Sequence, residues 1–349
     1  MAPPVGTETR GEYLSLELAG AARKLVEEAM PVQPGEQVVI TADTSSDERV
    51  VRATAQAAYA VGATPTVIWY ETMPIPCQDP PPPVARALIG ADVWIEFAVT
   101  YILYSNAQRE AIAAGCRYFC LSGMDVAMMV RTIGKVNYPL LDEMAQALYE
   151  LSHQAKEIHI TSPAGTDLVV QPDPQAPPTF TQMGAGEGGG YSQMLAGQSW
   201  FEELADTFHG TLVFDGAIWP PAELGLLSNP VSITIDKGRV VGIDGGAEAR
   251  TFQRWLDSFD DSMMYLVDHS CFGFNPGVTR LTGRILEDER LFGCMQFGIG
   301  RTRVGAASHT DGIVTSPSVW ADEVQLENEG MYVHPRLIEL CKEMGVSGY

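Results

Sequence analysis

The chain has 349 residues, 46% of them hydrophobic and 19% charged, which is the balance of a folded globular protein long enough for two domains with separate cores. Its formal net charge of -22 excludes a broad nucleic-acid surface, because phosphate binding rests on clustered Lys and Arg, and fits a solvated acidic exterior. The six cysteines (Cys77, Cys116, Cys120, Cys271, Cys294, Cys341) show no CxxC spacing and read as reduced, mostly buried thiols.

The opening "MAPPVGTETRGEYL" has no basic region followed by an apolar run, so no secretory signal is expected. From there, β-branched and aromatic runs alternate with amphipathic ones. "EQVVITAD" leads into the helical pattern "SDERVVRATAQAAYAVG", whose start is marked by Ser46, Asp47 and Glu48; "TPTVIWY", "DVWIEFAV" and "RYFCL" continue the series. Strands alternating with helices predict a parallel sheet with both faces covered, a Rossmann-like α/β domain. The most apolar stretch, "ADVWIEFAVTYILY", is interrupted by Asp92 and Glu96 and is too short to span a bilayer, so a cytoplasmic protein without a membrane partner is expected.

After the helical segment "LLDEMAQALYELSHQAKE" the pattern changes. "EIHITS", "GTDLVVQ", "GTLVFDGAI" and "VSITIDKGRVVGIDGG" are strand-like runs separated by turn residues, the pattern of a largely antiparallel α+β domain. The boundary falls near residue 155, giving an N-terminal domain over 1–155 and a C-terminal one over 156–349. The one GxGxxG match (Gly184, Gly186, Gly189) has no strand before it, so it reads as a flexible loop, with a lid as one use for its glycines, and no dinucleotide cofactor is expected. The acidic run "LEDER" at 286–290 reads as a solvated helix or turn.

Metal chemistry enters with "SHTDGIV". Residues two apart in an extended segment point the same way, so His309 and Asp311 can both reach one ion, and imidazole with carboxylate suits Fe(II), Mn(II) or Zn(II). His269, in "LVDHSCFGFNPG", precedes a turn; it is either a core histidine held by Asp268 or a backbone carbonyl, or a third ligand. Two histidines and one carboxylate can occupy one face of an octahedral ion, leaving positions open for O2 and a chelating substrate. His153, His159, His209 and His334 lie in helical or polar contexts and read as structural or surface residues.

"KGRVVGIDGGAEA", "CFGFNPG", "LTGRILEDERLFGCMQFGIG" and "SHTDGIV", in this order, resemble the C-terminal domain of the thermophilic-type metalloaminopeptidases and their relative, 2,5-dihydroxypyridine 5,6-dioxygenase; "PGEQVVITADTSSD" and "SPAGTDL" extend the resemblance to most of the chain. The peptidase branch implies two metals held by glutamates, histidines and an aspartate. Here its "PxGE" glutamate falls on Gln198, its second glutamate on His269 and its first histidine on Gln296, so the paired-metal set is broken. The dioxygenase branch implies one iron held by two histidines and an aspartate, and His269, His309 and Asp311 match in order and type. It also implies two pocket histidines, which fall on Tyr104 and Gln193 here.

The expectation is therefore an Fe(II)-dependent, ring-cleaving dioxygenase for a hydroxylated pyridine or related aromatic. Tyr104 and Gln193 orient substrate, Tyr104 being either a proton-transfer partner or an aromatic packed at a strand end, and Gln198 and Gln296 support the ligands. A metal-dependent aminopeptidase or amidohydrolase using an activated water is the alternative. The resemblance also implies a homo-oligomer, a dimer or larger.

Overall fold

The computed structural model describes residues 8–176 and 190–349, which form two compact units: 8–138 with 190–196, and 139–176 with 197–349. The glycine-rich run read as a loop or lid falls outside the described residues up to Gly189. No helix among the described residues is long and apolar enough to cross a membrane.

The first unit runs α1 (Ser15–Lys24), β1 (Gln37–Asp43), α2 (Glu48–Ala60), β2 (Thr64–Tyr70), α3 (Pro82–Ile89), β3 (Val93–Glu96), α4 (Asn106–Ala113), β4 (Arg117–Cys120) and α5 (Val126–Met129). The chain then enters the second unit for α6 (Tyr138–His153), β5 (Ile158–Thr161) and β6 (Asp167–Val170), and returns for β7 (Tyr191–Met194). The five strands β2-β1-β3-β4-β7 form one parallel sheet, as the alternating pattern predicted. The central β1 and β3 are buried along nearly their whole length, whereas β2 at the edge is largely exposed.

The cap of helix α2 lies one residue after Ser46. Asp47 is its cap, accepting from the Arg49 N–H at 3.0 Å, and Ser46 Oγ instead lies 2.9 Å from Asp43 Oδ1 and 3.1 Å from the Phe97 carbonyl. Asp43 Oδ2 also accepts from the N–H groups of Val99 at 2.9 Å and Thr100 at 3.3 Å. This one carboxylate ties the end of β1 to the loop after β3, where the strand order reverses and sheets of this kind bind ligands. Beneath it, buried Trp94 donates to Thr41 Oγ1 at 2.8 Å and its ring centroid lies 4.1 Å from that of Tyr118. Glu96 is buried beside them, bonded to Tyr118 Oη and to the Ile102 N–H at 2.8 Å; burial pushes its carboxyl up to about 8 despite these bonds.

The second unit continues with β8 (Gln198–Trp200), β9 (His209–Phe214), β10 (Ala217–Trp219), β11 (Gly225–Leu226), β12 (Val231–Asp236), β13 (Arg239–Gly245), α7 (Ala247–Asp257) and β14 (Val267–Gly273). Then follow α8 (Ile285–Asp288), β15 (Cys294–Ile299), β16 (Thr310–Val314), β17 (Ser318–Ala321), β18 (Val324–Asn328), β19 (Met331–Tyr332) and α9 (Pro335–Glu343). The strands make two sheets, β11-β10-β16-β15-β14-β8 and β13-β12-β9-β6-β5-β17-β18-β19, in which every pairing is antiparallel. "VSITIDKGRVVGIDGG" is a hairpin turning at Lys237 and Gly238, both with positive φ. "GTLVFDGAI" is divided between the sheets, β9 in one and β10 in the other.

The acidic run "LEDER" is not solvated. Glu287, Asp288, Glu289 and Arg290 are all buried, with Arg290 among the largest fully buried side chains. Thr282 and Gly283 N–H groups donate to Asp288 at 2.7 and 2.9 Å, and Arg290 pairs with Glu289 while donating to the Leu286 carbonyl at 3.0 Å. Backbone donors and an adjacent guanidinium, which charge density along the sequence does not reveal, are what make this burial tolerable. None of the six cysteines is in a disulfide, and only Cys77 is not buried.

Candidate metal centre

Three neighbouring strands of the six-stranded sheet assemble the site. His269 on β14 stands opposite Gly298 on β15, and Gly298 stands opposite Asp311 on β16. Directly paired residues share a face, so His269 and Asp311 project to the same side with the glycine between them. His309, two residues before Asp311, joins them by strand alternation. Asp311 Oδ1 lies 3.2 Å from His309 Nε2 and 3.4 Å from His269 Nε2; the two rings stack with centroids 5.2 Å apart at 23°. His309 and Asp311 are buried, at 2% and 6% exposure, and His269 is partly buried.

A second carboxylate flanks the pair from the other edge. Asp268 Oδ2 lies 3.3 Å from His269 Nδ1 and 3.8 Å from His309 Nδ1, and Asp268, His269 and His309 place donor atoms within 4.8 Å of one another. Two clusters thus share the imidazoles, and the hydrogen bonding chooses between them. His309 Nδ1 lies 2.9 Å from the Gly300 carbonyl, which only accepts, so Nδ1 carries the proton and the lone pair belongs to Nε2, on the Asp311 side. His269 follows the same logic, with Nδ1 donating to Asp268. A carboxylate behind a ligating imidazole fixes its tautomer and raises its basicity.

Electrostatics agree with a cation site. Burial alone would favour neutral rings, but hydrogen bonds donated to Asp268 and Asp311 outweigh it and raise His269 well above its ordinary value; the charge of Asp311 and the bond to it raise His309 likewise. Both aspartates are held low by the imidazoles against the opposing effect of burial, Asp268 at about 2. The donor set fits a divalent ion: two ligands at right angles with bonds of roughly 2.1 Å stand about 3 Å apart, close to the two Asp311 distances.

Gln296, opposite Cys271, and Gln198, opposite Gly273, lie on the same face of the sheet as His269, farther along β14. Both are buried, and Gln296 Oε1 has no hydrogen-bond partner among the described residues. As amides they bring no negative charge for a second ion. On the opposite face, Glu203 accepts from the Ser270 N–H at 2.7 Å and Oγ at 2.6 Å, pinning the backbone next to His269; burial moves its carboxyl up to about 7. Arg303 and Arg301 Nε lie 3.7 and 3.9 Å from Asp268 Oδ1.

Tyr104 and Gln193 belong to the first unit. Tyr104, in the loop after β3, has φ 68°, a left-handed conformation costly for an aromatic residue; its N–H donates to Gln108 Oε1 at 3.3 Å and its carbonyl accepts from Arg109 at 2.6 Å. Gln193, on β7 opposite Phe119, is buried with neither amide atom partnered among the described residues. The remaining histidines have structural settings: His159 lies 2.8 Å from Asp167, His209 3.1 Å from Asp236, His153 stacks on Tyr149, and His334 precedes α9. Asp268 was legible in the sequence only as a possible partner for His269. Gly298 and the Arg301–Arg303 pair carried no chemical signal of their own.

Comparison with known proteins agrees with this architecture. The model of the 2,5-dihydroxypyridine 5,6-dioxygenase family, NicX, matches residues 21–332. A curated 2,5-dihydroxypyridine 5,6-dioxygenase of Pseudomonas putida is 27% identical over 242 residues, 64% of this chain and 65% of that protein's length, just under two thirds. Among solved structures, 2,5-dihydroxypyridine dioxygenase from Pseudomonas putida KT2440 superposes with a TM-score of 0.74 at 21% identity, covering 95% of this chain and 99% of that one. AmpT from Thermus thermophilus shares the fold at a TM-score of 0.63 and 15% identity, over 92% of this chain and all of its own.

Proposed function

The chain belongs to the 2,5-dihydroxypyridine 5,6-dioxygenase family, and from that premise we propose that it binds one Fe(II) through His269, His309 and Asp311 and cleaves the ring of a hydroxylated pyridine or related aromatic with O2. The observation that carries this reading is the convergence of both Nε2 atoms on a single Asp311 oxygen, with each Nδ1 occupied behind it. Ferrous iron held by His269, His309 and Asp311 would supply the redox chemistry that activating O2 beside a chelating substrate requires.

The protein's own residues do the rest. Asp311 offsets one of the two charges of the ion, leaving a net positive site that favours a substrate bound as its hydroxylate. The Gly300 carbonyl and Asp268 keep the two rings in the tautomer that points a lone pair inward. Tyr104 and Gln193 are assigned to substrate: the first is held in a strained backbone conformation, and the second is a buried amide with no partner among the described residues, a state that an incoming polar ligand relieves. The phenol of Tyr104 serves better as a hydrogen-bond donor to substrate than as a base.

A two-metal hydrolase is disfavoured because Gln198 and Gln296 are neutral. The test is oxygen uptake: anaerobically purified protein, reconstituted with Fe(II), is mixed with 2,5-dihydroxypyridine and a panel of hydroxylated aromatics. Consumption of O2 matched to loss of the ring chromophore supports the reading. Release of amine from peptide substrates by a zinc-loaded form, without O2 uptake, would sink it.

A further inference from the structure

The strand between the ligands carries a glycine whose backbone does not call for one. Gly298 sits mid-strand in β15, paired on one side with His269 and on the other with Asp311, and its φ lies outside the left-handed region. Gly300, two residues on, is different: its φ is +91°, and its carbonyl is the one that accepts from His309 Nδ1. The reason for glycine at 298 is therefore space. A Cβ built there would lie 2.5 Å from His269 Cε1, 2.7 Å from His269 Nδ1 and 2.6 Å from His309 Cε1.

We propose that Gly298 is a positioning residue of the iron site: its missing side chain is the space both imidazoles lean into, so even a methyl group there disables metal binding while the sheet survives. The inference rests on the reading of His269, His309 and Asp311 as ligands. Magnitudes decide it. An ordinary carbon contact is about 3.5 Å, so each ring must retreat by roughly 0.9 Å to admit a Cβ. Metal–ligand bonds tolerate displacements of only about 0.2 Å.

Neither ring is free to yield without loss. His309 is buried and held by the Gly300 carbonyl, His269 is held by Asp268, and the rings stack on one another. A retreat from position 298 changes the angle at which both Nε2 atoms meet Asp311. The strand itself has no such objection, since extended backbone at this position suits alanine. Gly242 on β13 is the contrasting case: a Cβ there meets only Thr234, at 3.5 Å, and it serves as the control.

The experiment uses the 349-residue chain in five forms: wild type, Gly298→Ala, Gly242→Ala, the His269→Ala/His309→Ala background, and Gly298→Ala placed in that background. Iron content is measured after anaerobic reconstitution and gel filtration, and the melting temperature is measured on the metal-free proteins. The expected result is iron near one per chain in wild type and Gly242→Ala, and under a tenth of that in Gly298→Ala. Melting should fall on adding Gly298→Ala to wild type and stay level on adding it to the doubly substituted background, where the rings are gone. Iron retained by a folded Gly298→Ala variant overturns the proposal. So does an equal fall in melting temperature in both backgrounds, because the obstruction would then not be the imidazoles. Absence of iron from wild type itself would instead refute the ligand assignment, and the two melting comparisons would still judge the steric role of Gly298.

Discussion

Replacing Asp268 by Asn is expected to weaken iron binding about 10- to 100-fold while leaving all three ligands in place. Asp268 Oδ2 is 3.3 Å from His269 Nδ1 and 3.8 Å from His309 Nδ1, so one carboxylate backs both imidazoles, the nearer directly. A hydrogen bond to a charged acceptor is worth ~1.5–3 kcal/mol, which converts to roughly the same factor in affinity. An amide of the same shape keeps the packing and the steric position but loses the charge, so the change isolates the electrostatic contribution. The assay is competition for Fe(II) against a chelator of known affinity under anaerobic conditions, with the metal-free melting temperature as a check on folding. A control is built into the site: Arg303, 3.7 Å from Asp268 Oδ1 but 55% exposed along its side chain, should give less than about a threefold change as Arg303→Ala, because solvent screens it. Iron affinity of Asp268→Asn within twofold of wild type would refute the argument that the charge of this carboxylate strengthens the ligating imidazoles.

Other expectations follow from the same structure. Glu96 is neutral when folded up to about pH 8 but ionises near 4.5 in the unfolded chain, so its contribution is full below 4.5 and is lost as pH rises to about 8. Burial of the carboxyl is the cause, and the loss amounts to about 5 kcal/mol at ~1.4 kcal/mol per pH unit; denaturation of Glu96→Gln and wild type across this range should show the variant gaining relative stability as pH rises, and parallel curves would contradict it. Arg290→Met strands Glu289 in the interior and should cost ~3–5 kcal/mol in chemical denaturation. Tyr104→Phe and Gln193→Leu should leave iron content unchanged while raising KM or lowering kcat with the aromatic substrate; loss of iron in either would contradict a substrate role.

Much of the first unit was legible because parallel strands buried on both faces read as continuous apolar runs, as in "QVVITAD" and "VWIE". Its last strand was not: "YSQM" is short and polar, and it becomes a strand only by pairing with β4, some seventy residues earlier in the chain. Local pattern carries no record of such a partner. In the site, the shared direction of His309 and Asp311 follows from strand alternation alone, whereas His269 needed the family resemblance to rise above a core histidine. The structure makes it both bonded to Asp268 and aimed at Asp311, because the two ring nitrogens face opposite ways. Gly298 was invisible for a simpler reason: what matters there is an atom the residue lacks.

The most direct test of the account is the iron stoichiometry of wild type beside His269→Ala, His309→Ala and Asp311→Ala, each reconstituted anaerobically with Fe(II), freed of loose metal and checked for folding by circular dichroism. The account predicts about one iron per chain in wild type and almost none in any of the three variants. Folded variants that keep wild-type iron would place the metal elsewhere and remove the basis for an oxygenase site on this sheet.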